Sequence, residues 1–153
     1  MKGILKGLSP RQNRNIPPLN YQKVYSIKDD FPELEIIING GIKNISEAKN
    51  HLNYVDGVML GRAAYDDPFM LSDIDSEIYA NTKIEVSRKE LLSEYLDYVH
   101  LMTKKGYDLK IMLKHVFGLK KGEKDAKRFR VKVAEIMNSS SLVENKDELL
   151  SMV

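Results

Sequence analysis

Cysteine is absent from the 153-residue chain. The chain therefore has no disulfide framework, no thiolate metal site and no cysteine nucleophile. This absence fits a cytoplasmic protein, and we expect that location. The three histidines, at positions 51, 100 and 115, lack the spacing of metal-binding pairs, so we expect no metal. No apolar run reaches the roughly 18 residues that a transmembrane helix needs, so we expect no membrane segment. The apolar stretch within the first ten residues is too short for a signal peptide.

The composition is otherwise that of an ordinary globular chain, with 42% hydrophobic and 30% charged residues. The formal net charge of +2 conceals an asymmetry. Residues 104–132 contain 11 basic and three acidic side chains, a net charge of +8. Such a block indicates either a polyanionic partner or a solvated helical face, and composition leaves both open.

The first half of the chain alternates helical patterns with short apolar runs. The pattern predicts a loop over residues 1–19, helices at 21–30 and 46–52, and strands at 35–39 and 57–60. A third helix is predicted within 63–71, ending at Pro68 or just beyond it. Continuous runs of apolar, β-branched residues are typical of parallel strands buried on both faces. Residues 20–71 therefore predict two consecutive α/β units.

The second half is purely helical in pattern. A polar, acidic stretch at 72–86 predicts a linker, and a Ser87–Glu90 capping box begins the first helix after it. Further helices are predicted at 108–116, 124–137 and 147–152. The predicted domains are thus an α/β part (1–71), the linker (72–86) and a small helical bundle (87–153) that contains the basic block.

Two glycine-bearing segments follow the predicted strands, Asn39-Gly40-Gly41 and Gly61-Arg62. Glycine lets a ligand approach the backbone closely, and the loops after the last strands of a (β/α) barrel often bind phosphate. Ordinary turns are an equally good explanation from the pattern alone. Two strands cannot close an eight-stranded barrel, so we expect the last part of a TIM (β/α)8 barrel followed by the helical bundle.

Three motifs resemble the A-type tRNA-dihydrouridine synthases. The first is KGLSP at residues 6–10, with NR at 13–14 and IPPL at 16–19. The second is FP at 31–32 ahead of INGGI at 38–42, and the third is VDGVMLGRAAY at 55–65. The resemblance runs in order from about residue 5 to residue 132.

The resemblance implies a flavin enzyme that reduces the 5,6 double bond of uridine in tRNA, using FMN that NADPH has reduced. It also implies a TIM barrel followed by a helical domain. Carried over by motif, the residues around the FMN phosphate are Asn39, Gly40, Gly41, Gly61 and Arg62. The residues that it assigns to tRNA are Arg11, Arg14, Lys127 and Arg130.

The sequence departs from that family in one important respect. The family's general acid is a cysteine in the first half of the barrel, and this chain has none. The family's contacts to the flavin ring also precede the matched region. We therefore expect a C-terminal portion from a truncated or split gene, inactive by itself and partnered by a separate N-terminal half of the barrel.

Two other functions remain open. One is a non-catalytic tRNA-binding module. The other is a different FMN barrel, such as a dihydroorotate dehydrogenase relative, although the GLSP-x-x-NR loop and the basic helical tail argue against it. His115 is expected to be a partly buried structural residue.

Overall fold

A computed structural model describes residues 19–139 and 142–153. The chain divides into two compact units, Met1–Leu60 and Gly61–Val153, which are described separately below. The loop predicted at the N-terminus, with Arg11 and Arg14, lies outside the described residues. The domain boundaries at residues 71 and 86 stay predictions.

The first unit contains α1 (Tyr21–Asp30), β1 (Ile37–Asn39), α2 (Ile45–Leu52) and β2 (Gly57–Met59). Side-chain caps begin both helices, because the first backbone N–H groups of a helix lack partners within it. Asn20 accepts a 3.0 Å hydrogen bond from the Lys23 N–H, and Asn44 accepts one of 2.8 Å from the Glu47 N–H. The helices and strands predicted here are confirmed to within a residue or two.

The two strands pair in parallel, with Ile37 opposite Gly57 and Asn39 opposite Met59. Ile38 is buried at 2% exposure, but Ile37 is 60% exposed. The expectation of strands buried on both faces is therefore wrong for the face that carries Ile37 and Met59. Successive side chains of a strand point to opposite faces, and the described part of this unit covers only the face of Ile38.

The second unit is helical. Its α-helices in the described residues are α3 (Arg62–Asp66), α4 (Ile74–Glu77), α5 (Arg88–Lys104), α6 (Leu109–Leu113), α7 (Ala126–Ser139) and α8 (Leu142–Leu150). Two 3-10 segments, at Pro68–Asp73 and Lys114–Val116, lie between them. The segment predicted at 63–71 is α-helical only as far as Asp66. This agrees with the expectation that the helix ends near Pro68, because proline has no backbone N–H to continue the helical hydrogen bonds. The predicted linker contains the short helix α4.

A continuous hydrophobic core joins α5 to α8. Its members are Leu92, Leu96, Val99, Leu113, Val116, Leu119, Phe129, Val133, Ile136, Leu142 and Leu149, all nearly or fully buried. The Ser87–Glu90 capping box ahead of α5 is present in full, as predicted. The helix α8 begins five residues earlier than predicted and buries both Leu142 and Leu149. Within residues 19–139 and 142–153, no helix is long and apolar enough to cross a membrane.

Candidate functional site

The turn after β1 has the backbone conformation that its two glycines allow. The φ angles of Gly40 and Gly41 are 113° and 70°, a region that other residues rarely adopt. A Cβ atom on Gly40 would lie 2.9 Å from Cδ2 of Leu19, and one on Gly41 would lie 2.9 Å from the Tyr21 hydroxyl. Space and conformation together therefore exclude larger side chains at both positions.

An aromatic cluster supports this turn. The Tyr21 hydroxyl donates a 2.7 Å hydrogen bond to the Gly40 carbonyl, and the Tyr21 ring meets His51 edge-on at 4.5 Å. The Tyr25 hydroxyl lies 2.6 Å from Nδ1 of His51, and its ring stacks on Tyr54 at 4.4 Å. Burial, followed by the phenols of Tyr54 and Tyr21, raises the pKa of Tyr25. Sequence reasoning missed this cluster, although the four-residue spacing of Tyr21 and Tyr25 put both on one face of α1.

The start of α2 is occupied by side chains of its own. Asn44 accepts from the Glu47 N–H, and the Glu47 carboxylate accepts a 2.8 Å hydrogen bond from the Lys43 N–H. The backbone N–H groups of Lys43 and Glu47 therefore already have side-chain partners. A carboxylate already caps the segment, so an anion would have to use the glycine turn before it.

The second glycine segment begins the second unit. Gly61 is the N-cap of α3 and forms no side-chain capping bond, and Arg62 is the first residue of that helix and is exposed. The boundary between the two units falls between Leu60 and Gly61. A joint phosphate site of Asn39, Gly40 and Gly41 with Gly61 and Arg62 accordingly stays a prediction.

The basic block separates into paired and unpaired cations. Lys132 forms a 2.5 Å ion pair with Glu148, and the Lys120 ammonium donates to the carbonyl of Met152. Lys127 and Arg130 are both exposed, three residues apart on α7, and share a face of that helix. Neither has an ion pair within the described residues. Lys127 and Arg130 therefore lie on one helix face, as predicted from their spacing, and both are open to solvent.

The aromatic residues of the bundle differ in their exposure. Phe129 is fully buried, whereas Tyr98 is 49% exposed. His115 is exposed, not partly buried, because the Lys114–Val116 segment points Val116 into the core and leaves His115 outside. The His115 ring meets Tyr65 edge-on at a centroid distance of 5.6 Å. Sequence reasoning gave Tyr65 no role of its own, since the two rings are 50 residues apart in the chain.

The chain matches the Dihydrouridine synthase (Dus) family over residues 4–152. It is 44% identical over 127 residues to a tRNA-dihydrouridine(20/20a) synthase of Pseudomonas putida, covering 83% of this chain and 38% of the relative. Proteins of the same name from Vibrio cholerae and Synechocystis sp. are 40% and 43% identical, over 88% and 84% of this chain and 41% and 39% of the relatives. The chain thus spans about two fifths of the length of these curated relatives.

Proposed function

Because the chain belongs to the dihydrouridine synthase (Dus) family, we propose that it supplies the C-terminal part of an enzyme that reduces uridine in tRNA. In this proposal β1 and β2 are the last two strands of a TIM barrel, and the Gly61–Val153 unit carries the tRNA-binding helices. The cofactor is FMN and the reductant is NADPH. When bound and reduced by NADPH, FMN would supply the hydride for the 5,6 double bond of the uracil ring.

The parallel pairing of β1 with β2 is the observation that carries this proposal. It brings the carboxyl ends of both strands to one edge, with Asn39 opposite Met59, two residues before Gly61. Ligands of α/β sheets bind at that edge. The groups proposed for the FMN phosphate are the Asn39 amide, the backbone N–H groups of Gly40, Gly41 and Gly61, and the Arg62 guanidinium. All of them can donate hydrogen bonds, which suits a phosphate dianion.

The chain's own contribution to the reaction is binding and orientation. Tyr21 holds the glycine turn through the Gly40 carbonyl. The chain has no cysteine to serve as the family's general acid. We therefore propose that it does not reduce uridine by itself and that an N-terminal half of the barrel, joined or separate, completes the site.

The tRNA is held, in this proposal, by Lys127 and Arg130 on α7 and by Arg11 and Arg14. Cations on one helix face can follow a phosphate backbone and set the position of the RNA. A second candidate is a non-catalytic tRNA-binding module. It is supported by the separate hydrophobic core of α5 to α8, all of whose members lie in the Gly61–Val153 unit.

Measurement of tRNA affinity at several salt concentrations tests the tRNA part of the proposal. Each phosphate contact contributes a slope of about −0.9 for duplex in log K against log salt, so Lys127→Ala with Arg130→Ala should flatten the slope by about 2 units. The matched control is Lys23→Ala with Lys89→Ala, which removes two exposed lysines outside the basic block. If the control pair flattened the salt slope equally, the RNA would be held by diffuse electrostatic attraction. That result would overturn the assignment of Lys127 and Arg130.

A further inference from the structure

Two recesses of the Gly61–Val153 unit are each lined in part by residues of the segment 115–119. One is basic, has a volume of about 230 Å³, and has Asp66, Phe117, Gly118, Lys121, Ala126 and Arg130 in its wall. The other is mainly apolar, with a volume of about 300 Å³ and a wall that includes Pro68, Leu91, Tyr95 and His115. Small-molecule sites begin at about 300 Å³, so each recess suits a part of one nucleotide better than a whole cofactor.

Gly118 brings the walls of the two recesses together. A Cβ atom at Gly118 would lie 2.4 Å from the Asp66 carbonyl oxygen and 2.9 Å from Cδ of Pro68. The backbone at the end of α3 therefore packs directly on the backbone of residues 115–119, with no side chain between them. This close approach accompanies the placement of Tyr65, next to Asp66, against His115.

The Tyr65–His115 ring pair is open to solvent. Tyr65 is 54% exposed, and its ring plane makes an angle of 84° with that of His115. The Tyr95 hydroxyl, by contrast, is tied to the Met112 carbonyl at 2.9 Å, and burial followed by the phenols of Tyr98 and Tyr65 raises the pKa of Tyr95. Exposed aromatic rings beside cations are the means by which proteins hold unpaired bases.

The charge of the basic recess favours an anion. Lys121 and Arg130 are exposed, and no ion pair within the described residues involves either of them. Among the described residues of the wall, Asp66 is the one carboxylate, so these side chains together carry one net positive charge. The Asp66 carboxylate can accept a hydrogen bond from a ribose hydroxyl or a base N–H, whereas the two cations suit a phosphate.

We propose that these two recesses and the Tyr65–His115 pair form a contact site for one unpaired nucleotide of an RNA. The base stacks at Tyr65 and His115 beside the apolar recess, and its phosphate binds Lys121 and Arg130. This proposal rests on the proposed function, since it names how the same RNA is held. Contacts to phosphates alone do not distinguish paired from unpaired RNA. A stacking contact to a base would favour an unpaired nucleotide.

Binding of an unmodified tRNA transcript to the full chain tests the site. Tyr65→Ala should weaken binding about tenfold, because an aromatic platform supplies stacking energy, and should leave the salt slope unchanged, because no charge is lost. Tyr65→Phe should bind like the unaltered chain. Lys121→Ala should instead flatten the slope by about 1 unit. The matched control is Tyr107→Ala, which removes a tyrosine of 58% exposure from a different part of the unit.

A fully paired RNA duplex separates base contact from phosphate contact. Tyr65→Ala should leave duplex affinity unchanged, since no base is free to stack. Equal effects of Tyr65→Ala and Tyr107→Ala on tRNA, or a tenfold loss for the duplex as well, would overturn the proposal. If Tyr65→Ala has no effect while the Lys127 and Arg130 double variant flattens the slope, this site fails and the proposed tRNA binding stands. If neither changes tRNA binding, both fail.

Discussion

The Tyr21 hydroxyl donates a 2.7 Å hydrogen bond to the carbonyl of Gly40, 19 residues further along the chain. This bond ties the first turn of α1 to the turn that follows β1. Gly40 and Gly41 both have positive φ angles, which residues other than glycine rarely adopt. Its conformation is instead supported from outside, by Tyr21 and by Leu19.

Tyr21→Phe should lower the free energy of unfolding by about 1 kcal/mol, since it removes one partly buried hydrogen bond and keeps the ring against His51. Denaturant unfolding measures the change. Tyr54→Phe is the control, because that ring stacks on Tyr25 and is 55% exposed. If Tyr54→Phe lowered the free energy of unfolding by as much as Tyr21→Phe, the hydrogen bond to Gly40 would not be the cause of the loss.

Phe129→Ala should lower the free energy of unfolding by about 3 to 5 kcal/mol, because it removes a large, fully buried side chain from the core of the second unit. Thermal unfolding followed by circular dichroism measures the loss. Tyr107→Ala, at an exposed position, should cost much less. Comparable melting of the two variants would contradict the packing described here.

Acid should destabilise the first unit in part through Asp56. The Ile36 N–H, followed by the Lys28 ammonium, lowers the pKa of the Asp56 carboxyl. A lowered pKa in the folded state means that the carboxylate stabilises the fold above its unfolded pKa near 4, and that this contribution is lost as the pH falls below about 4. Asp56→Asn should therefore show a smaller loss of stability between about pH 5 and pH 3 in a series of melts. The same loss in the variant as in the unaltered chain would rule this contribution out.

The uncovered face of the sheet should make the chain self-associate. Ile37 is 60% exposed and Met59 is 48% exposed, beside strand edges that lack partners in the described residues. Ile37→Lys with Met59→Lys should shift the sedimentation profile toward monomer. Ile84→Lys, at a 73% exposed position outside the sheet, is the control. A sharp monomer peak for the unaltered chain would contradict the prediction.

Local patterns in the sequence predict most of the first unit and its caps. The period of α1 with Asn20 before it, and the apolar run that ends at Asn39, depend on short-range preferences of the backbone. The exposure of Ile37 could not be predicted in this way, because an apolar run is the same whether or not another layer covers it. The end of the α-helix near Pro68 was predicted for the same kind of local reason, because proline has no backbone N–H to continue a helix.

The candidate site was predictable only where neighbouring residues in the chain build it. Gly40 and Gly41 stand out by composition, and Lys127 and Arg130 by their spacing on one helix. The contact of Tyr65 with His115 depends on tertiary packing near Gly118, and the spacing of residues along the sequence does not predict such packing. His115 was expected to be partly buried because it lies beside the apolar residues Val116 and Phe117 in the sequence, but its exposure also depends on tertiary packing.

The most direct measurement is NADPH-dependent dihydrouridine formation in tRNA by a fusion protein. In it, the part of the Pseudomonas putida relative that precedes its match to this chain is joined to this chain. The fusion should reduce uridine while the 153-residue chain alone does not, and Arg62→Ala should greatly reduce both FMN affinity and activity while Lys23→Ala leaves both unchanged. Uridine reduction by the chain alone, or an Arg62→Ala fusion that binds FMN and reduces uridine as well as its parent, would contradict the proposed role.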